Sequence, residues 1–109
     1  MDFTLEQKFE NEKWYLKIVG EVDIYSSPDL KSQLKMLIEE KAVDLHIDCI
    51  KLEYIDSTGL GALVGVLKAV HANNNEMYLY NVAPNILKLF HITQLDKIFS
   101  IKNDGGTPT

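Results

Sequence analysis

The chain has 109 residues, a net charge of −5, 46% hydrophobic residues and 25% charged residues. This length allows one domain with a single hydrophobic core, and the composition is that of an ordinary globular protein. The negative net charge argues against a general nucleic-acid binder, which would show a basic face. The longest run without charged or strongly polar residues, positions 60–67, is far shorter than the roughly 20 residues of a membrane-spanning helix.

The cysteine and histidine content argues against several kinds of site. Cys49 is the only cysteine, so no internal disulfide can form, and its place in an alternating apolar pattern predicts a buried core thiol. His46, His71 and His91 are far apart and lack metal-ligand spacing. The N-terminus has neither the basic start nor the apolar block of a signal peptide. We therefore expect a cytoplasmic protein without a metal ion or cofactor.

The first part of the chain predicts a hairpin followed by a helix. Apolar residues alternate with polar ones over residues 3–9, and a short turn separates this strand from a second one at residues 14–19. Ser27 and Pro28 predict the start of a helix, with Ser27 as the N-cap and Pro28 at the first helical position. The apolar side of this helix consists of Leu30, Leu34, Leu37 and Ile38.

The remaining elements follow in the order strand, helix, strand, helix and edge strand. This order predicts an α/β fold with a mixed, mainly parallel sheet of four or five strands covered by helices. A brief turn at Thr93 or Gln94 precedes the last strand, and residues 103–109 are a polar tail outside the domain of residues 1–102. The predicted ranges are 43–49, 60–71, 77–82, 84–90 and 99–102.

The most informative segment is YIDSTGLG at positions 54–61, between the third strand and the second helix. The side chains of Asp56, Ser57 and Thr58 can cap the free N–H groups at a helix start. The same N–H groups and the helix dipole favour an anion, so a serine here can carry a phosphate without unfolding its helix. From the residues alone, capping without modification is the more common role of such a loop.

This octet, together with Gly-Glu-Val-Asp at positions 20–23, resembles the STAS domain family, in the branch of bacterial anti-sigma factor antagonists. The resemblance extends from residue 3 to about residue 101 and implies a STAS-type fold. It implies a protein that binds an anti-sigma factor, itself a serine kinase, and so frees a sigma factor for transcription. Ser57 is then the phosphorylation site, a phosphatase resets the protein, and Asp23, Asp56 and Thr58 lie on the partner surface.

Further residues are expected on this surface. Ser26 and Ser27 follow Asp23 in the loop after the second strand. If the second and third strands are neighbours, this loop gathers with the octet at the carboxyl edge of the parallel strands. Gly59, within the octet, is included in the predicted partner surface.

The second helix also suggests a partner surface. Its predicted core side contains Leu60, Leu63, Val64, Leu67, Val70 and His71, and the opposite side contains Gly61, Ala62, Gly65, Ala69 and Ala72. A glycine inside a helix costs about 1 kcal/mol relative to alanine, so Gly61 and Gly65 need an explanation. Either another element of the domain packs there, for instance the segment after Pro84, or a partner does. The partner is favoured because the stripe begins beside Ser57.

Catalysis is not expected. Ser57 lacks the glycine two positions before it that a nucleophile elbow requires, and no glycine-rich loop followed by lysine is present. Two alternatives to the anti-sigma factor antagonist stay open. One is a STAS adaptor subunit of a lipid-transport or stress-sensing complex, and the other is a STAS domain that itself binds nucleotide.

Overall fold

The computed structural model describes residues 2–103 and begins with the predicted hairpin. Strands β1 (Phe3–Glu10) and β2 (Lys13–Val22) are antiparallel and paired along the whole of β1. Asn11 and Glu12 connect them with φ of 55° and 60°, the left-handed conformation that a tight hairpin turn of this kind requires.

The later elements alternate between strands and helices, and the predicted mixed, mainly parallel sheet is confirmed. The strand order is β1-β2-β3-β5-β6, with β4 paired to β2, and every pairing after the hairpin is parallel. The sheet therefore has six strands, not four or five. A 3-10 turn precedes β6, as predicted. The ranges are α1 (Ser27–Glu40), β3 (Leu45–Asp48), β4 (Leu52–Ile55), α2 (Ser57–Ala72), β5 (Met77–Tyr80), α3 (Pro84–Ile92), the turn (Leu95–Lys97) and β6 (Ser100–Lys102).

One hydrophobic cluster joins one face of the sheet to all three helices. Alternate residues of β2 point into it, and the predicted apolar side of α1 is buried there. The indole Nε1 of Trp14 donates to the carbonyl of Leu37 at 3.1 Å, which ties β2 to α1. The predicted core thiol is confirmed: Cys49 is buried, and burial raises its pKa to about 12.

The C-terminal boundary differs slightly from the prediction. Asn103, assigned to the polar tail, is bound to the domain because its Oδ1 accepts from the N–H of Val82 at 2.8 Å and its Nδ2 donates to the Val82 carbonyl. The rest of the predicted tail, residues 104–109, lies outside the described residues.

The predicted start of α1 is shifted by one residue. The N-cap is Ser26, and Ser27 is the first helical residue with Pro28 following it. The Ser26 side chain does not cap the helix. Its hydroxyl instead bonds to Asp23, because the residues between Asp23 and Ser26 form a closed turn that precedes the helix.

Strand β4 was not predicted. Its burial pattern, with Leu52 and Ile55 buried and the two residues between them exposed, lacks the alternation that identifies a strand in a sequence. It pairs with the last part of β2 beyond the point where β3 ends. Gly20 makes this change of neighbour possible: its φ is +109°, and a Cβ there would lie 2.5 Å from the Asp2 carbonyl oxygen.

Helix α2 starts three residues earlier than predicted, and its buried side is rotated. Val66 is fully buried and Ala62 is nearly so, although neither was placed on the core side. His71, which was placed there, is exposed, and its Nε2 lies 3.0 Å from Glu76 Oε1. The reason is that α2 packs against α1 as well as against the sheet.

The sheet face opposite the helices carries a row of stacked rings. His46 on β3 stacks between Tyr15 on β2 and Tyr78 on β5, with ring centroids 5.3 and 4.8 Å apart. Its Nδ1 lies 2.7 Å from the Tyr80 hydroxyl, and its Nε2 is buried without a hydrogen-bond partner within residues 2–103. Burial, assisted by Lys13 and opposed by Asp44, lowers the pKa of His46.

We expect His46 to make the fold less stable in acid. A histidine whose pKa is lowered by folding contributes stability above its unfolded pKa of about 6.5, and that stability is lost as the pH falls towards the folded pKa. Urea unfolding between neutral pH and pH of about 5 should show this loss, and His46→Phe should flatten the profile in that interval. An unchanged profile in His46→Phe would contradict the assignment.

Candidate functional site

The carboxyl ends of β2 and β4 bring the two predicted acidic residues to one place. Val22 is paired with Ile55 in the parallel register, and the N–H of Asp56 donates to the Val22 carbonyl at 3.4 Å. Asp23 and Asp56 are the next residues of their strands, so they lie side by side at this edge. The sequence predicted this proximity through the third strand, whereas β4 provides it.

Asp56 is the N-cap of α2. Its Oδ1 accepts from the N–H of Thr58 at 3.0 Å and from the N–H of Gly59 at 3.1 Å. The Thr58 hydroxyl also donates to the same oxygen. The sequence offered three side chains as possible caps, and the structure shows that Asp56 is the cap. The Thr58 hydroxyl is bonded to Asp56.

Ser57 is the first residue of α2 and is exposed. Its hydroxyl forms no hydrogen bond within the described part of the chain, in contrast to the hydroxyls of Ser26 and Thr58. A group attached to Ser57 Oγ would therefore break no bond of the fold. It would also lie at the positive end of a 16-residue helix, where a negative charge is favoured.

The loop after β2 is closed by hydrogen bonds to Asp23. Asp23 Oδ1 accepts from the N–H groups of Tyr25 and Ser26 at 3.0 Å each and from the Ser26 hydroxyl at 3.1 Å. Desolvation acts to raise the pKa of Asp23, but the bonds from Ser26 and Tyr25 outweigh it, so the pKa is lowered. Asp23 is therefore ionised at neutral pH and can accept these three hydrogen bonds.

Two apolar side chains of this loop were not recognised as candidates in the sequence. Ile24 is 60% exposed and Tyr25 is 89% exposed. Their signal was available, because they are large apolar residues between a strand end and a helix start and belong to no periodic pattern. Two adjacent exposed apolar side chains beside the α2 start are candidates for a protein-binding surface.

Two predicted surface residues are buried. Ser27 is 6% exposed, and Gly59 lies beneath the side chains of β4 and β2. A Cβ at Gly59 would lie 2.4 Å from Ile55 Cγ1 and 3.1 Å from Val22 Cγ1. Gly59 is thus required for packing α2 against the strands, and neither residue is presented to a partner in this conformation.

The small-residue side of α2 has two different environments. A Cβ at Gly61 would meet nothing within 4 Å, so this position is open. Gly65 is covered by Lys31 of α1, and Ala62 is buried. Internal packing therefore explains part of the stripe, and the element that packs there is α1, not the segment after Pro84.

Gly59 and Gly61 should respond oppositely to alanine. We expect Gly59→Ala to lower the free energy of unfolding by about 1–3 kcal/mol, because the new methyl group collides with a stiff, buried isoleucine. Gly61→Ala, in open space on the same helix, should raise it by up to about 1 kcal/mol through helix propensity. Urea unfolding of both variants tests this, and equal effects would contradict the packing role of Gly59.

The site thus belongs to a six-stranded α/β domain and consists of an exposed serine at a capped helix start. Residues 2–103 contain no group of three potential metal ligands. The sequence model of the STAS domain matches residues 6–106, and the chain belongs to this family. No helix within the described residues is long and apolar enough to cross a membrane.

Known proteins support this assignment. The chain is 34% identical over 105 residues to the anti-sigma-B factor antagonist of Staphylococcus epidermidis, and the match covers 96% of each protein. The fold is also that of an anti-sigma factor antagonist from Mycobacterium paratuberculosis, with a TM-score of 0.82, 20% identity and coverage of 95% and 88%. The phosphorylated form of the Bacillus cell fate determinant SpoIIAA has a TM-score of 0.70, with 20% identity and coverage of 94% and 93%.

Proposed function

We propose that this protein is an anti-sigma factor antagonist that acts in the cytoplasm as a phosphorylation-controlled binding partner. Unphosphorylated, it binds an anti-sigma factor, which releases a sigma factor for transcription. The anti-sigma factor is also a serine kinase and phosphorylates Ser57 with ATP, after which the complex dissociates. A phosphatase then restores the free serine. The chain itself catalyses no step, and the nucleotide belongs to the kinase.

The observation that carries this proposal is the state of Ser57. The hydroxyl is exposed and unbonded within residues 2–103, and the neighbouring Asp56 already caps the helix. Modification can therefore change the surface while leaving the fold intact. The anti-sigma-B factor antagonist relatives, with a third of their residues identical to this chain over almost its full length, support the choice of partner.

Charge explains how phosphorylation would end binding. A phosphate on Ser57 adds about −1.5 to −2 charges at neutral pH. In the free protein it is tolerated at the helix start, where the dipole favours it by up to roughly 2 kcal/mol. In a complex it would be desolvated beside Asp23 and Asp56. A change from 99% to 1% bound requires about 5.5 kcal/mol, which is within the range of one buried, unpaired dianion.

The proposed partner surface combines the predicted residues that are accessible with two that the structure adds. Ser27 and Gly59 are left out because they are buried, and Gly65 is left out because Lys31 covers it. The loop between β2 and α1 contributes apolar contacts that the polar α2 start lacks. The surface comprises Asp23, Ile24, Tyr25, Ser26, Asp56, Ser57, Thr58 and Gly61.

Substitution of Ser57 should separate folding from regulation. Ser57→Ala should unfold at the same urea concentration as the wild type, since Asp56 provides the cap, and should bind the anti-sigma factor persistently in the presence of ATP. Ser57→Asp should fold equally well and bind more weakly. Urea unfolding measures the stability of the two variants, and calorimetric titration with and without ATP measures their binding.

Thr58→Val is the matched control, because it removes the neighbouring hydroxyl but should still accept one phosphate. Mass mapping that places the phosphate on Thr58, or a Ser57→Ala complex that dissociates when ATP is added, would overturn the mechanism.

Tyr25 should contribute to binding without contributing to stability. Because its side chain is almost fully exposed, Tyr25→Ala should change the free energy of unfolding by less than about 0.5 kcal/mol. Affinity for the anti-sigma factor should fall by about tenfold or more if the ring is buried in the complex.

Ile92→Ala is the control for Tyr25, since Ile92 is also exposed, at 69%, but lies at the far end of α3. Equal losses of affinity in the two variants would show that Tyr25 is not a specific part of the partner surface.

A further inference from the structure

The side chain of Lys31 crosses from α1 onto α2 at Gly65. A Cβ on Gly65 would lie 2.7 Å from Lys31 Cε and 3.0 Å from Lys31 Nζ. These distances are too short for any residue other than glycine unless the lysine moves. Because Gly65 has no side chain, the Lys31 ammonium group can lie against the backbone of α2.

The Lys31 side chain also lines a groove between the N-terminal turns of the two helices. The groove has a volume of about 290 Å³ and is lined by Ser27, Pro28 and Lys31 of α1 and by Thr58, Gly61 and Ala62 of α2. Lys31 is the only charged residue among these six. It forms no ion pair with a carboxylate of residues 2–103.

The groove is accessible from the side of the phosphorylation site. Gly61 contributes no side chain and has open space above it, and Thr58 is the residue next to Ser57. A partner bound at Ser57 can thus place a side chain in the groove. An unpaired, partly buried cation in an otherwise acidic protein is complementary to a carboxylate.

We infer that Lys31 is a specificity-determining residue of the proposed interface, which binds a carboxylate side chain of the anti-sigma factor, and that Gly65 acts only by positioning Lys31. This inference rests on the proposed function and goes beyond it. It replaces direct contact of the partner with Gly65, which the small-residue stripe alone had suggested. The attraction between Lys31 and an acidic side chain of the kinase would offset part of the repulsion between that side chain and Asp23 and Asp56.

A double-mutant cycle tests the inference with the full chain, in its unphosphorylated form, and the anti-sigma factor. We expect Lys31→Met to weaken binding by about tenfold, since it removes a charge pair but keeps the unbranched stem. Gly65→Ala should weaken binding to a similar extent because the methyl group displaces the ammonium group. In the Lys31→Met background, Gly65→Ala should have no further effect.

Two controls make the result specific. Lys35→Met removes the same charge from α1 outside the groove and should leave the affinity close to that of the wild type. Urea unfolding should show that all variants are folded. Higher salt should reduce the difference between wild type and Lys31→Met, because screening weakens a charge pair.

Four outcomes would overturn the inference. Unchanged affinity in Lys31→Met would show that no partner group binds the lysine. An equal loss from Gly65→Ala in both backgrounds would show that Gly65 contacts the partner itself. A Lys31→Met variant that is altered only in its dissociation after phosphorylation would assign Lys31 to the phosphate instead. Absence of any binding by the wild type would overturn the proposed function as well.

Discussion

The pairing of β4 with the last residues of β2 is the constraint on which the site depends. β3 ends opposite Lys17 in the middle of β2, so the residues of β2 after Lys17 would lack a neighbour on that side. Gly20, with its positive φ, introduces the irregularity that lets β4 take over. Because β4 then ends level with Val22, the start of α2 and the loop before α1 meet at one edge. Without this pairing, Asp23 and Ser57 would belong to separate surfaces.

The site divides two tasks that one serine cannot perform together. A helix start needs a side-chain acceptor for its free N–H groups. A phosphorylation site needs an exposed hydroxyl that is not held in hydrogen bonds of the fold. Asp56 supplies the acceptor, while Ser57 at the next position, the proposed phosphorylation site, has an exposed hydroxyl. The Asp23 loop follows the same principle, since its carboxylate orders the backbone and leaves Ile24 and Tyr25 exposed. The proposed regulation can therefore act on the surface without altering stability.

Much of the fold was predictable because hydrophobic periodicity identifies long amphipathic elements. The hairpin, the buried side of α1 and the parallel strand–helix alternation all follow from local patterns. β4 could not be predicted, because four residues with only the first and last buried carry no period. The roles of Gly59 and Gly65 also required the structure, since they depend on Ile55 and Lys31, which come close only after folding. Similarly, the octet offers three capping side chains, and only the geometry selects Asp56.

The buried thiol beside the central strand has a consequence for chemical reactivity. Thiolates, not thiols, react with oxidants and alkylating reagents, and a pKa of about 12 leaves Cys49 almost entirely protonated at neutral pH. Cys49 follows β3 directly, and its N–H donates to the Tyr80 carbonyl at 2.7 Å. The thiol becomes reactive only when the core around it opens to water. The rate of alkylation at Cys49 therefore reports how often this part of the core opens, independently of events at Ser57.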